Sequence, residues 1–152
     1  MYEVDYKDYL IVENGILKGF KKNANGDDIY QGGKIVIPTG VTSIGTSAFT
    51  SNTHLKKVFT NSHHFTIIDA YAFRYSSLEY FDFDNCKIDS IKPFAFERCP
   101  FKGADYGGES LSLPDGLKSI ESNAFNGGGA LSNAFGDVVG FKFIVPASVE
   151  IM

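Results

Sequence analysis

Cysteine is scarce in this chain, with only Cys86 and Cys99 among 152 residues. Two cysteines exclude a small scaffold held together by many disulfides, and no CxxC pair suggests a zinc or thioredoxin-like site. Cys99 lies three residues after Phe96. We interpret it as a small core or turn residue, and a disulfide between Cys86 and Cys99 stays open as the alternative.

An excess of positive charge is also missing. The chain has 14 Lys and Arg against 18 Asp and Glu, which gives a formal net charge of −4 at pH 7. No basic cluster is longer than the pairs Lys21-Lys22 and Lys56-Lys57. Because nucleic-acid binding depends on neutralising phosphates with clustered cations, we expect no nucleic-acid partner.

No uninterrupted apolar run approaches the length needed to cross a bilayer, so we expect no membrane insertion. The first residues, Met1 to Tyr6, lack the charged segment and apolar segment of a secretory leader. Two compartments are compatible with this start: a cytoplasmic protein, or an exported protein whose leader has been removed.

Motifs that bind metals or phosphates are absent from the sequence. The histidines His54, His63 and His64 do not form an HExxH motif, and two loop histidines are a simpler interpretation of His63-His64 than a metal site. No GxSxG, Walker loop or GxGxxG motif occurs. We therefore predict no metal and no cofactor.

Two pairs of acids come close in sequence, Asp27 with Asp28 and Asp82 with Asp84. Glycosidases need two carboxylates at a set separation, so such pairs raise the weak alternative of a carboxylate-dependent hydrolase. Solvated acids at turns are the simpler interpretation, because no pocket-building segment accompanies them. We predict that the protein is not an enzyme.

What the sequence does contain is a repeat. An apolar residue is followed three positions later by Ile, and four positions after that by Ala-Phe. The four copies are Val41-Ile44-Ala48-Phe49, Phe65-Ile68-Ala72-Phe73, Ile88-Ile91-Ala95-Phe96 and Leu117-Ile120-Ala124-Phe125. The interval between copies lies in the range of roughly 20–29 residues typical of leucine-rich repeats. Since one unit cannot enclose its own apolar side, stacking of neighbours must provide the core.

A short strand precedes each Ala-Phe pair, and in three units a proline ends it, as in Ile35-Val36-Ile37-Pro38. Alternation along the strands predicts one inward set. This set comprises Ile35, Ile37, Val58, Thr60, Phe81, Phe83, Leu111, Leu113, Phe143 and Val145. The Ala-Phe segment itself predicts either one helical turn or a tight irregular turn. Ala is small there because we expect adjacent coils to approach closely.

Asn14-Gly15 between two β-prone runs predicts a hairpin. We assign residues 1–33 to an N-terminal hairpin cap and residues 34–152 to repeats, as one continuous domain with four coils and a truncated fifth. Two Gly-rich insertions, Gly103 to Glu109 and Asn126 to Gly140, interrupt the period and are expected to be loops.

The segment from Ile35 to Phe49 resembles the repeat unit of BspA-like leucine-rich-repeat proteins, in which an apolar-Pro strand is followed by Val, Ile-Gly and Ala-Phe. The resemblance implies a mainly β fold, a right-handed leucine-rich-repeat β-solenoid. It also implies a secreted or cell-surface protein that mediates adhesion or binding of host or other extracellular proteins. It does not imply catalysis, and the family has no universal ligand motif from which binding residues could be transferred.

If the strands stack side by side, their outward residues form two columns, here named the strand face. The first column is Lys34, Lys57, Tyr80, Ser110 and Lys142, and the second is Val36, Phe59, Asp82, Ser112 and Ile144. Apolar and aromatic residues beside lysines are typical of protein contacts, which makes this face the candidate protein-binding surface. An equally good interpretation is that these residues pack on their neighbours across the strands.

The main alternative to a binding module is a structural spacer within a longer repeat array. The last segment, Phe143 to Val149, begins a unit that the sequence does not complete. We therefore expect either self-association through an open C-terminal coil or a native protein that continues further.

Overall fold

A computed structural model describes residues 5–62, 66–83, 86–101, 110–125, 142–144, 147 and 149–151. It is a mainly β solenoid. The described residues contain twelve strands. A 3₁₀ turn, Tyr6–Asp8, precedes them, and Asp5 caps it by accepting a hydrogen bond from the backbone N–H of Lys7.

The strands fall into two sets. The longer ones are β1 (Leu10–Glu13), β2 (Ile16–Phe20), β3 (Lys34–Ile37), β5 (Lys57–Thr60), β9 (Ser110–Ser112) and β11 (Lys142–Ile144). The two-residue strands are β4 (Ser43–Ile44), β6 (Ile67–Ile68), β7 (Tyr80–Phe81), β8 (Ser90–Ile91), β10 (Ser119–Ile120) and β12 (Glu150–Ile151).

The predicted N-terminal hairpin is present. Strands β1 and β2 pair antiparallel, and Asn14 and Gly15 connect them with φ angles of 52° and 79°. Two left-handed residues in a row are what a two-residue hairpin turn of type I′ requires. Strand β2 then pairs in parallel with β4, with Leu17 beside Ile44, so the hairpin is continuous with the coils that it caps.

Strands β3, β5 and β7 form one parallel sheet, and β9 and β11 form another. The predicted alternation is confirmed wherever the inward side chains are described: Ile35, Ile37, Val58, Thr60, Phe81, Phe83 and Leu113 are all buried. The third strand is shorter than expected, because β7 ends at Phe81 rather than at Phe83.

The repeated Ile forms a second ladder that the sequence analysis did not predict as strands. The two-residue strands that contain it join the hairpin in a seven-stranded sheet with the order β1-β2-β4-β6-β8-β10-β12. Ile44, Ile68, Ile91 and Ile120 are all buried. Each Ile therefore points into the core while its backbone pairs with the neighbouring coils.

Each Ala-Phe segment is a tight turn, so the second of the two predicted alternatives is correct. Alternate N–H groups of one coil donate to carbonyls of the next: Ser47 to Ala70 at 3.1 Å, Phe49 to Ala72 at 2.7 Å and Ser51 to Arg74 at 2.8 Å. The same pattern links the following coils. Backbone hydrogen bonds thus join the coils at the turns as well as along the strands.

The repeated phenylalanines form one continuous stack in the core. Ring centroids are 5.3 Å apart for Phe49 and Phe73, 5.3 Å for Phe73 and Phe96, and 5.2 Å for Phe96 and Phe125, with interplanar angles of 17° or less. All four rings are buried, and so are the alanines Ala72, Ala95 and Ala124. The prediction of a single shared core is confirmed.

Both cysteines are buried thiols. Cys99 lies in the core, where its Sγ is 3.0 Å from the carbonyl oxygen of Phe73, and burial raises the pKa of this thiol to about 12. The core interpretation of Cys99 is therefore correct, and the alternative of a Cys86–Cys99 disulfide is not realised. Several expectations concern residues outside the described ones: His63, His64, Asp84, Val145, and the insertions at 103–109 and 126–140.

Candidate protein-binding surface

The β3-β5-β7 ladder brings the first half of the strand face together. Lys34 pairs in register with Lys57, and Lys57 with Tyr80, while Val36 pairs with Phe59. Lys34 is exposed and the other four are partly buried. Strand pairing therefore extends the first predicted column over three coils and the second over two.

Phe59 is the centre of this part of the strand face. The Lys34 ammonium lies 5.7 Å from the centroid of the Phe59 ring, and the Tyr80 ring lies 5.4 Å from it at an angle of 45°. Both contacts are diagonal ones between neighbouring strands, which are the units that stabilise a sheet surface. The result is one continuous amphipathic surface in which each side chain also supports its neighbour.

Asp82 is much less exposed than an outward position on the strand face predicts. It is only 7% exposed, and the Tyr80 hydroxyl donates to its carboxylate at 3.4 Å. The neighbours Phe81 and Phe83 are both buried, as alternation predicts, and the contact with Tyr80 places Asp82 on the side of the strand face. Because it is buried, Asp82 contributes little accessible surface there.

The remaining residues of the strand face lie on the second sheet. Ser110 pairs with Lys142 and Ser112 with Ile144, in the register that the two columns require. Among the described residues, the strand order does not join this sheet to β3-β5-β7. The ten predicted residues therefore fall on two strand ladders, and the insertion at 103–109 lies between them in sequence.

A polar cluster that the sequence analysis missed joins the cap to the first coil. It consists of Lys22, Asp28, Asn52 and His54. His54 Nε2 and Asn52 Nδ2 lie 2.8 Å and 3.0 Å from Asp28 Oδ2, and the Lys22 ammonium pairs with the other oxygen. Its only sequence signal is the density of Asn and Asp in residues 23–28.

The electrostatics of this polar cluster favour an ionised Asp28. Burial opposes ionisation, but hydrogen bonds from Lys22 and His54 outweigh it and hold the pKa of Asp28 below its usual value. The other ring nitrogen of His54, Nδ1, lies 2.8 Å from the Gly32 carbonyl oxygen. Since both ring nitrogens contact protein oxygens, His54 is placed to fasten the cap, not to act as a general base.

A second surface was also missed. Tyr75 has 45% of its surface exposed, more than any other large apolar side chain among the described residues, and it lies on the turns rather than the strands. The sequence signal is that bulky residues flank Ala-Phe in the second and third copies, where the first copy has serines.

The described part of the chain contains no group of three His, Cys, Asp or Glu side chains arranged to hold a metal ion. In the same residues, no helix has the length and apolar character needed to cross a membrane.

Comparison with known families identifies the repeat. A model of the BspA-type leucine-rich repeat region matches residues 30–135 in six copies, which is more than half of the sequence. The chain belongs to the BspA-type leucine-rich repeat family. BspA-type repeats typically form non-enzymatic modules for protein interaction, and proteins of the family are often surface-associated. No curated protein and no solved structure matches the chain.

Proposed function

We propose that this BspA-type repeat protein is a binding module of a secreted or cell-surface protein and that it captures an extracellular or host protein through its strand face. Adhesion is the use that such a module would serve. The chain carries out no catalysis in this proposal, and its partner is a protein rather than nucleic acid.

The single observation that supports this proposal is the arrangement around Phe59. Lys34 and Tyr80 both contact its ring, and Val36 and Lys57 extend the same surface along β3 and β5. Protein interfaces commonly combine an aromatic centre with a polar surround. A surface built from the same register positions of successive coils is also how repeat proteins form extended binding sites.

The proposal is tested by changing the centre of the strand face while keeping the core intact. Phe59→Asp combined with Lys57→Glu reverses both the apolar character and the charge at outward positions. We expect this variant to lose capture by an array of purified extracellular and host-surface proteins on which the unchanged protein gives a signal.

A matched control is Ile29→Asp combined with Lys87→Glu, which makes the same chemical changes at exposed residues away from the strand face. Circular dichroism of both variants reports folding. Capture that survives in a folded Phe59→Asp, Lys57→Glu variant contradicts the proposal. Absence of any signal from the unchanged protein favours the structural spacer instead.

Self-association through the C-terminal coil stays a prediction, because most of residues 126–152 lie outside the described ones. Sedimentation of the full chain tests it. A strictly monomeric protein that binds no hydrophobic dye would contradict an open coil end.

A further inference from the structure

The turns of successive coils place residues in two columns on what we name the turn face. The position before each Ala has a left-handed backbone, with φ close to 60°. In the first three copies, so does the position three residues after the Ala. The first column is Ser47, Tyr71, Phe94 and Asn123, and the second is Ser51, Tyr75 and Arg98. The backbone hydrogen bonds between coils hold these positions in line.

Bulky side chains at these positions are unusual. A left-handed conformation costs free energy for any L-residue, and small polar residues such as Asn tolerate it best. The first and fourth coils have Ser and Asn there, whereas the second and third coils have two tyrosines, a phenylalanine and an arginine. Residues held in disfavoured backbone regions concentrate at functional sites, so this choice requires an explanation.

The bulky residues meet in one cluster, which we name the aromatic ridge: Tyr71, Arg74, Tyr75, Phe94 and Arg98. The rings of Tyr71 and Phe94 stack at 5.3 Å and 7°. The Arg74 guanidinium lies 4.4 Å from the ring centroid of Tyr75, 5.3 Å from that of Tyr71 and 5.5 Å from that of Phe94. Arg74 therefore ties the two columns together.

A hydrogen bond to Glu97 in turn fixes the position of Arg74. Its Nε donates to the carboxylate of Glu97 at 2.6 Å, and the Glu97 side chain is buried. A charge-assisted hydrogen bond to a buried carboxylate restrains both partners. The aromatic ridge is thus organised before any partner arrives, which reduces the entropy lost on binding.

The exposed part of the aromatic ridge carries positive charge. Glu97 balances Arg74, whereas Arg98 is exposed and stands over the Tyr75 ring with its guanidinium 5.6 Å from the ring centroid. Tyr and Arg are the residues most enriched among those that dominate protein–protein binding energies. The surface therefore complements a carboxylate that lies beside an apolar or aromatic group.

The aromatic ridge is separate from the strand face. Phe73, which lies between Tyr71 and Tyr75 in sequence, points inward and contacts Phe81 of β7 with ring centroids 5.8 Å apart. The core consequently lies between the two surfaces, and one compact partner segment does not cover both.

We propose that the aromatic ridge is a second protein-binding surface, which accepts an acidic segment of a partner protein with a carboxylate seated on Arg98 and an apolar side chain against Tyr75. This site is independent of the function proposed for the strand face. A partner can engage either surface while the other stays free.

The test uses the full chain and a phage-displayed library of random twelve-residue peptides. We expect selection to enrich peptides in which Asp or Glu is next to an aromatic or aliphatic residue. The tightest peptide is then synthesised with a fluorophore, and its affinity is measured by anisotropy. Arg98→Glu and Tyr75→Asn should each weaken its binding at least tenfold, whereas Arg98→Lys should retain most of the affinity.

The strand-face variant Phe59→Asp, Lys57→Glu is the matched control and should bind the peptide within twofold of the unchanged protein. This separates failure of the aromatic ridge from failure of the strand face. Peptides without acidic enrichment, or an Arg98→Glu affinity within twofold of the original, would overturn the proposal. So would a concentration-dependent dimer that Arg98→Glu abolishes, because the occupant would then be a second copy.

Discussion

The strand face and the turn face lie on two sides of the same core, yet they present side chains by different means. On the strand face, the two-residue period of the strands points Val36 and Phe59 outward, and packing against neighbouring side chains leaves them half-buried. On the turn face, left-handed backbone angles place Tyr75 outward, and nearly half of its surface is exposed.

This difference affects how far the outward side chains of each surface stabilise the fold and how accessible they are to a partner. Outward residues on the strand face stabilise the sheet through diagonal contacts, so their chemistry serves the fold as well as any partner. Bulky residues on the turn face cost backbone free energy, and two of them, Tyr75 and Arg98, remain exposed. Two surfaces of one repeat protein can therefore differ in how far their outward side chains also stabilise the fold.

The largest effect is expected when one aromatic ring is removed from the core beneath the turns and its loss of stability is compared with that of removing one from the strand face. Phe96→Ala removes a ring that contacts Phe73, Phe125 and Phe101 in the core. We expect a loss of about 3–5 kcal/mol in the free energy of unfolding, measured by urea denaturation.

Phe59→Ala is the matched variant. It removes the same side chain from a half-buried surface position, and we expect a loss of about 0.5–1 kcal/mol. Similar losses for the two variants would show that the strand face is part of the core, and the distinction between the two regions would fail.

A smaller effect is expected at the polar cluster, which joins the cap to the residues that follow the first turn. Asp28→Asn should lower the free energy of unfolding by about 1.5–3 kcal/mol near neutral pH, because it removes charged hydrogen bonds with Lys22 and His54. Urea denaturation of both proteins between pH 7 and pH 2 provides the measurement.

The sign of the pH dependence follows from the lowered pKa of Asp28 in the folded state. Its contribution is present above the unfolded pKa, near 3.8, and disappears as the pH falls through the folded value. The difference in the free energy of unfolding between the unchanged protein and Asp28→Asn should therefore become smaller as the pH falls. A constant difference across this range would mean that Asp28 does not act through its charge.

The smallest predicted effect tests the left-handed turn positions directly. Ser51 is exposed and has a φ of 58°. Ser51→Val should cost about 1 kcal/mol, because a β-branched residue is a poor fit to this region, while Ser51→Asn should change stability by less than about 0.5 kcal/mol. Equal stabilities of the two variants, measured by thermal denaturation, would show that the left-handed turn positions are not strained.

The sequence predicted the parts of the fold that depend on recurring apolar residues. The Ala-Phe spacing located the stack from Phe49 to Phe125, alternation located Ile35 and Ile37, and Asn14-Gly15 located the hairpin. These features are local or periodic, so residue type and spacing are enough to predict them.

The features that could not be predicted depend on backbone geometry and on long-range contacts. The residue types of Tyr71 and Arg98 do not indicate a left-handed φ, because tyrosine and arginine normally avoid it. The contact of Asp28 with His54 joins residues far apart in sequence. One repeat sequence does not encode these relationships by itself.

The hydrogen bonds at the turns have a direction. Where the turns of two neighbouring coils are both described, the N–H groups belong to the earlier coil and the carbonyls to the later one, as for Phe49 with Ala72 and Phe73 with Ala95. Their peptide dipoles are therefore parallel and add along the solenoid axis, as they do in a helix. A further coil, from this chain or another, could join the turn ladder only head to tail, so any filament of such coils would be polar.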